Sequence, residues 1–235
     1  MAMTLDYLIS LDKQLLLAVN GSDSLFLDGL VKTLTTASTW IPLYIALFYL
    51  VLKNNDTVQK IVWVVLCALL CVLLAGSLDD MIVKPLVARW RPTHDPQIGV
   101  IVDVVNGYRG GNYGFFSAHA SNTFSLAIFF ALLIRSRMLS CFLIIWSLLN
   151  CWTRLYLGVH YPGDILCGLL WGGTVGVAVW LLHRTVCLHF DMKMSYISSH
   201  YTPSGYLTTD VDVVIATLLF TFFFAIIKAC AFIYV

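Results

Sequence analysis

Six apolar runs, each near the length of a membrane crossing, dominate this chain. An α-helix rises about 1.5 Å per residue, so about 20 mostly apolar residues cross a hydrocarbon core about 30 Å thick. The runs lie at 26–52, 58–82, 119–134, 138–158, 164–183 and 212–234. A crossing segment must satisfy its backbone polar groups internally, as a helix does. The expectation is therefore an all-α, six-helix integral membrane bundle, forming a single domain over residues 1–235. No polar stretch is long enough to fold as a separate unit of ordinary size. Composition agrees: 60% of the residues are hydrophobic and only 11% charged, against roughly 25% charged in soluble domains.

Ahead of the first run, Leu5, Leu8, Ile9, Leu15, Leu16 and Val19 share one helical stripe, with Asp6 and Lys13 off it. That pattern predicts an amphipathic N-terminal helix lying on the membrane surface. Asp12 breaks it, falling on the apolar side. No basic stretch precedes an apolar core and a small-residue cleavage site, so no cleaved signal peptide is expected. The 14 basic residues nearly balance 13 acids, all of them Asp, which leaves no broad basic field and excludes nucleic acid as a partner. The seven cysteines show no C-x-x-C or Cys/His spacing and read as small hydrophobes.

Two segments interrupt the apolar pattern. Residues 84–118 are rich in Pro, Gly and Arg, while 184–211 is polar and carries the turn sequence Pro203-Ser204-Gly205. With six crossings, the loop after the second run and the loop after the fourth share one side of the bilayer. The other side carries Lys53, Lys60, Arg135, Arg137, Arg184 and Lys193. By the positive-inside rule that side is cytoplasmic, and the first two loops face outward.

The outward loops hold the chemistry. They contain Lys84 and Arg91, then Ser117 and His119, then Arg154, His160 and Asp164. Lys84 and Arg91, seven apart, would point nearly the same way on a continuous helix, and Pro85 suits the start of a fresh helical segment. Ser117 stands where it can cap the third crossing, whose N-terminus is then an anion site. Fixed cations beside hydrocarbon call for a multiply charged anion, and phosphate suits the forks of Arg91 and Arg154, the point charge of Lys84 and the Ser117 hydroxyl. Asp164 can hold one nitrogen of His160 as N–H, leaving the other as a nucleophile, and His119 can protonate a leaving oxygen.

Each residue also has a plainer reading. Lys84, Arg89 and Arg91 can be headgroup anchors, His119 a capping residue, and His160 and Asp164 an i,i+4 helix pair. With His94, Asp95 and His119 the same residues imitate a metal site, although neighbouring cations would repel a metal ion. Intramembrane Lys228 and the glycines 168, 172, 173 and 176 suit a binding or transport protein with moving helices; the glycines also suit plain helix packing.

Taken together, Lys84-x6-Arg91-Pro92, Phe116-Ser117-Ala118-His119 and Thr153-Arg154-x5-His160-x3-Asp164 resemble the three-part signature of the type 2 phosphatidic acid phosphatase superfamily, the integral-membrane lipid phosphatases. The family's Pro-Ser-Gly-His appears here as Phe116-Ser-Ala-His, and its Ser-Arg as Thr153-Arg154. The resemblance implies a cofactor-free, metal-independent reaction. His160 attacks phosphorus to give a phosphohistidine, Asp164 orients it, and His119 protonates the leaving group. Lys84, Arg91, Ser117 and Arg154 hold the phosphoryl oxygens, and water then releases phosphate.

The implied substrate is a phosphorylated membrane lipid, with lipid A phosphate and undecaprenyl diphosphate leading and phosphatidylglycerol phosphate and phosphatidic acid behind. A lipid phosphotransferase, in which another acceptor replaces water, remains an alternative. The implied location is a bacterial inner membrane, with the site facing the periplasm. The glycine-rich stretch 107–114, with Arg109, Asn112 and Tyr113, is either a headgroup-selecting loop or a loop with no ligand contact.

Overall fold

The computed structural model describes residues 2–189 and 200–233. Among these, eight helices account for the regular structure: α1 Ala2–Leu17, α2 Leu25–Thr35, α3 Ile41–Lys53, α4 Val58–Val87, α5 Ala118–Ile134, α6 Arg137–Tyr156, α7 Pro162–His189 and α8 Thr208–Phe232. β structure among them is confined to two isolated bridges, Trp90 with Tyr113 and Tyr201 with Leu207. The second closes the turn expected at Pro203-Ser204-Gly205, where Gly205 takes a φ of +88°. Residues 190–199, with Lys193, lie outside the described residues.

By length and composition, α4, α6, α7 and α8 can each cross a membrane. The run expected at 26–52 is two pieces, bent by 68° between α2 and the helical stretch Ala37–Lys53. α5, with 17 residues, is apolar but short of the usual crossing length. The helical class therefore stands, whereas length and composition alone identify four crossings, or five with the bent pair. On the outside, Ile45, Leu69, Leu170, Phe220 and Phe223 are exposed, as a lipid-facing surface requires. Inside, Trp40, Leu47, Cys67, Phe129, Trp146 and Leu218 belong to one continuous core.

The bend has a local cause. Thr36 is extended, which ends α2, and the carbonyls this frees are taken up by side chains. Thr39 Oγ1 donates to the Thr33 carbonyl at 2.7 Å, and Trp40 Nε1 donates to that of Leu34 at 2.8 Å. Trp40 then packs edge-on against Trp146 and Phe222. This brings the end of α2, with Lys32 and Thr35, beside the end of α6.

α4 departs from α geometry near its end. Leu73–Ser77 and Asp79–Val83 are π-helical, and α geometry returns at Lys84, with Pro85 in that fresh first turn. Asp79 is left fully buried. Its Oδ1 accepts the Phe116 N–H at 3.1 Å, tying α4 to the entrance of α5.

α5 and α7 make the most extensive helix contact, and small residues permit it. A Cβ on Gly168, Gly172 or Gly176 would lie 2.8, 2.4 or 2.6 Å from the carbonyl oxygens of Ser117, Ser121 and Ser125 respectively. These glycines therefore serve close backbone packing. α1 is helical as expected; on it Tyr7, Leu8, Leu11 and Leu15 are exposed and Leu16 is buried. Replacing Gly172 by Val should cost about 1–3 kcal/mol through overpacking, read as a lowered melting temperature in detergent. Gly111→Ala, with nothing within 4 Å of the added carbon, should leave melting unchanged.

Candidate active site

The three sequence clusters converge at one end of the bundle. α4 ends where Ala88 adopts a left-handed conformation, φ +48°, and Arg91 is extended, as a residue before proline prefers. Lys84 and Arg91 therefore do not share a continuous helix. Residues 89–91 instead run antiparallel to 112–114: the Arg91 N–H donates to the Asn112 carbonyl and the Gly114 N–H to that of Arg89, each at 2.9 Å. Arg91 Nε donates to the Tyr113 carbonyl at 3.0 Å, so the glycine-rich loop holds the Arg91 guanidinium. Arg109 is engaged elsewhere, donating to the Thr93 carbonyl at 3.0 Å.

His160 follows the turn that ends α6, where Gly158 takes a φ of +63°. A Cβ there would meet Val102 Cγ1 at 2.4 Å, so the turn admits little but glycine. Pro162 then opens α7 with its fixed φ, and Asp164 sits in the first turn. Arg91 NH1 lies 3.2 Å from His160 Nε2. A guanidinium only donates, so Nε2 is the acceptor and carries the lone pair. The ring proton then belongs on Nδ1, which is 3.7 Å from Asp164 Oδ2 and has no hydrogen-bond partner among the described residues. That separation exceeds hydrogen-bonding range. Burial, then the positive charges of Arg91, Arg154 and Lys84, hold the His160 imidazole well below its usual pKa, so it is neutral near pH 7.

Ser117 caps α5, its Oγ accepting the Ala120 N–H at 3.4 Å. Its own N–H donates to the Asp164 carbonyl at 3.1 Å, so the N-terminal turns of α5 and α7 are joined directly. Arg154, only 2% exposed, donates from NH1 to Thr35 Oγ1 at 2.7 Å and from NH2 to the Tyr108 hydroxyl at 3.1 Å; its Nε has no hydrogen-bond partner among the described residues. His119 and Arg154 line one cavity of about 510 Å³, together with Lys32, Asn106 and Tyr108. Burial would raise the Tyr108 phenol, but Arg154 and Arg91 outweigh it and lower its pKa.

The cations are not equally free. Lys84 Nζ is paired with Asp79 Oδ2 at 2.9 Å and also with Asp80. Arg89, at first sight a headgroup anchor, bridges Asp164 Oδ1 and Asp12 Oδ2, both at 2.6 Å. Arg91 and Arg154 have no carboxylate partner among the described residues. Burial and the nearby Arg154 charge both weigh against the Arg91 cation, so an anion beside it would be stabilising. Lys228 does not share this setting; it lies exposed on the outside of α8.

Comparison with known proteins fits this arrangement. Residues 61–186 match the PAP2 superfamily. The chain is also 41% identical over 180 residues to the lipid A 4'-phosphatase of Bacteroides thetaiotaomicron, covering 76% of this chain and 78% of that protein. The chain belongs to the PAP2 superfamily. It is a phosphoric ester hydrolase and a multi-pass membrane protein. A second relative, the lipid A 4'-phosphatase of Porphyromonas gingivalis, is 34% identical over 181 residues, 76% of this chain and 75% of its own. The decaprenylphosphoryl-5-phosphoribose phosphatase of Mycobacterium tuberculosis is 36% identical over 99 residues, covering 42% of this chain and 50% of that one. No solved structure gives a significant match.

Sequence reasoning did not single out Arg89, Asp12, Thr35, Tyr108 or Gly114 for the site. Asp12 left a trace, as the acid on an apolar stripe, and Tyr108 and Gly114 lie in the flagged stretch 107–114; Thr35 left none. A Cβ on Gly114 would lie 3.1 Å from Arg91 Cγ, 3.3 Å from Asp164 Oδ2 and 3.5 Å from His160 Nδ1. Gly114→Ala should therefore displace these groups and lower phosphate release by about tenfold or more. Circular dichroism and melting temperature in detergent should stay near those of the parent.

Proposed function

We propose that this protein is a lipid phosphatase that removes the 4'-phosphate of lipid A through a phosphohistidine. The observation that carries the chemistry is the His160 Nε2 lone pair, 3.2 Å from the NH1 of a guanidinium that has no carboxylate partner among the described residues. A phosphoryl oxygen bound to Arg91 brings phosphorus within reach of that nitrogen. The substrate follows the relatives at 41% and 34% identity over three quarters of the chain.

In the first step His160 Nε2 forms a bond to phosphorus as the bond to the sugar oxygen breaks, and His119 gives that oxygen its proton. Asp164 faces the Nδ1–H and offsets the positive charge that develops on the ring. Arg91, Arg154, Lys84 and Ser117 hold the three remaining oxygens, so preorganised positive charge supplies most of the acceleration. In the second step His119 takes a proton from water, whose oxygen displaces His160 and releases inorganic phosphate. The negative charge of the substrate offsets Lys84, Arg91 and Arg154, which makes room for a cationic His119.

The cavity beside His119 is the natural place for the leaving sugar. Thr35, Thr36, Asn106 and Tyr108 offer it polar groups, and Lys32 stands at its edge. The reading takes the bent α2–α3 pair and the short α5 as crossings, giving six passes in one integral domain. The site then faces the periplasmic side of a bacterial inner membrane, with Lys53, Lys60, Arg135, Arg137 and Arg184 at the cytoplasmic end.

Phosphate release from detergent-solubilised lipid A, undecaprenyl diphosphate, phosphatidylglycerol phosphate and phosphatidic acid tests the reading. Lipid A should be preferred, and His160→Ala should abolish release while leaving membrane insertion intact. Preference for undecaprenyl diphosphate, or full turnover by that variant, would refute the substrate or the mechanism respectively. The pH profile adds a check on sign. A depressed His160 pKa keeps the nucleophile neutral as pH falls through about 6.5, the ordinary imidazole value. Corrected for substrate ionisation, kcat/KM should not fall as pH drops from 8 to 6, because His119 as the acid only gains from added protons; a halving near pH 6.5 would contradict it.

A further inference from the structure

We infer that Arg89, locked by Asp12 of the N-terminal helix, is a positioning residue for Asp164, so that α1 is part of the active-site framework. The inference rests on the reading of His160 and Asp164 given above, and concerns Arg89, at an unspecified position of the first cluster, and Asp12, outside all three. Asp164 is fully buried, and a buried carboxylate aims only as well as its partners fix it. Its Oδ2 accepts the Tyr161 N–H at 3.0 Å and lies 3.7 Å from His160 Nδ1. Its Oδ1 accepts Arg89 NH1 at 2.6 Å. Together these bonds fix the carboxylate plane, and with it the oxygen presented to the imidazole.

Arg89 is in turn fixed on three sides. NH2 donates to Asp12 Oδ2 at 2.6 Å, and the guanidinium carbon stands 4.3 Å from the centre of the Tyr161 ring. Asp12 Oδ1 accepts the N–H of Gly163, in the first turn of α7, at 2.7 Å. A carbon added at Gly163 would come within 2.9 Å of Asp12 Oδ2, so helix and carboxylate are in close contact. The adjacent Lys13 pairs with Asp95 at 2.8 Å, and Asp95 accepts the Tyr161 hydroxyl at 2.7 Å. Two consecutive residues of α1 thus brace the two sides of Arg89. This accounts for the acid on the apolar stripe: Asp12 faces the protein, where it has charged partners.

The test uses the full chain in detergent, with phosphate release from a phosphorylated lipid as the readout. Arg89→Met should lower kcat by about 100-fold, the usual penalty for a catalytic group about 1 Å out of place, with KM within about twofold of the parent. Arg89→Lys should recover part of the loss. Asp12→Asn should lower kcat by about three- to tenfold alone and by less than about twofold in the Arg89→Met background, because coupled residues are not additive.

A purely structural bridge would instead lower the melting temperature while sparing kcat per folded molecule, and that result overturns the inference. So would losses that multiply in the double variant. If Arg89→Met fails to fold, the Asp12→Asn and Arg89→Lys variants decide on the same kcat and KM readout. An inactive His160→Ala beside a fully active Arg89→Met refutes this inference alone. An active His160→Ala refutes the phosphohistidine reading beneath it.

Discussion

The approach of α5 and α7 at backbone distance underlies the site. Glycines at 168, 172 and 176 let the α7 backbone come against the carbonyls of Ser117, Ser121 and Ser125. Without that approach, the Ser117 N–H could not reach the Asp164 carbonyl. The two helices begin at the same level, and each brings one histidine to the site: His119 in the first turn of α5, His160 just ahead of α7. In a bilayer, where lipid tails give apolar side chains little reason to prefer one another, close packing of this kind is a main source of helix association.

Charge is distributed around that joint with a clear division. At an effective dielectric of about 20, two unit charges about 4 Å apart interact by about 4 kcal/mol, so each pairing decides whether a cation is available to a ligand. Asp79 and Asp80 hold Lys84, and Asp12 and Asp164 hold Arg89. Arg91 and Arg154 are held by neutral groups instead: the carbonyls of Tyr113 and Val159 for one, the hydroxyls of Thr35 and Tyr108 for the other. Neutral acceptors fix a guanidinium in place and leave its charge uncancelled. The proposed anion site therefore rests mainly on the two arginines, with Lys84 as a partly neutralised third member.

The same division explains which residues the sequence revealed. Lys84, Arg91, Ser117, His119, Arg154, His160 and Asp164 are legible because three short spacings repeat a family pattern. The cap at Ser117 and the fresh helical turn at Pro85 follow from local backbone preferences. Arg89 was ambiguous, since an arginine near a helix end reads equally as an anchor to headgroups. Its role depends on Asp12, 77 residues away in the chain, and no local pattern encodes that distance. The glycine stretch 107–114 was legible as a candidate headgroup loop, but not the contact by which its Asn112 and Tyr113 carbonyls hold Arg91.

The sequence by itself determined the helical class and the membrane setting and nominated the residues proposed for the anion site, because each rests on something local: hydropathy over a window, a proline or serine at a helix start, or a short spacing. Tertiary structure decided the rest. The run at 26–52 breaks by 68° because side chains of Thr39 and Trp40 satisfy the carbonyls that the bend exposes, an outcome hydropathy does not register. Lys84 and Arg91 are not on one helix, since Ala88 ends α4 and strand-like pairing takes over. Which cations stay uncancelled is settled by contacts between distant segments, for the physical reason that charge pairing depends on separation in space and not on position along the chain.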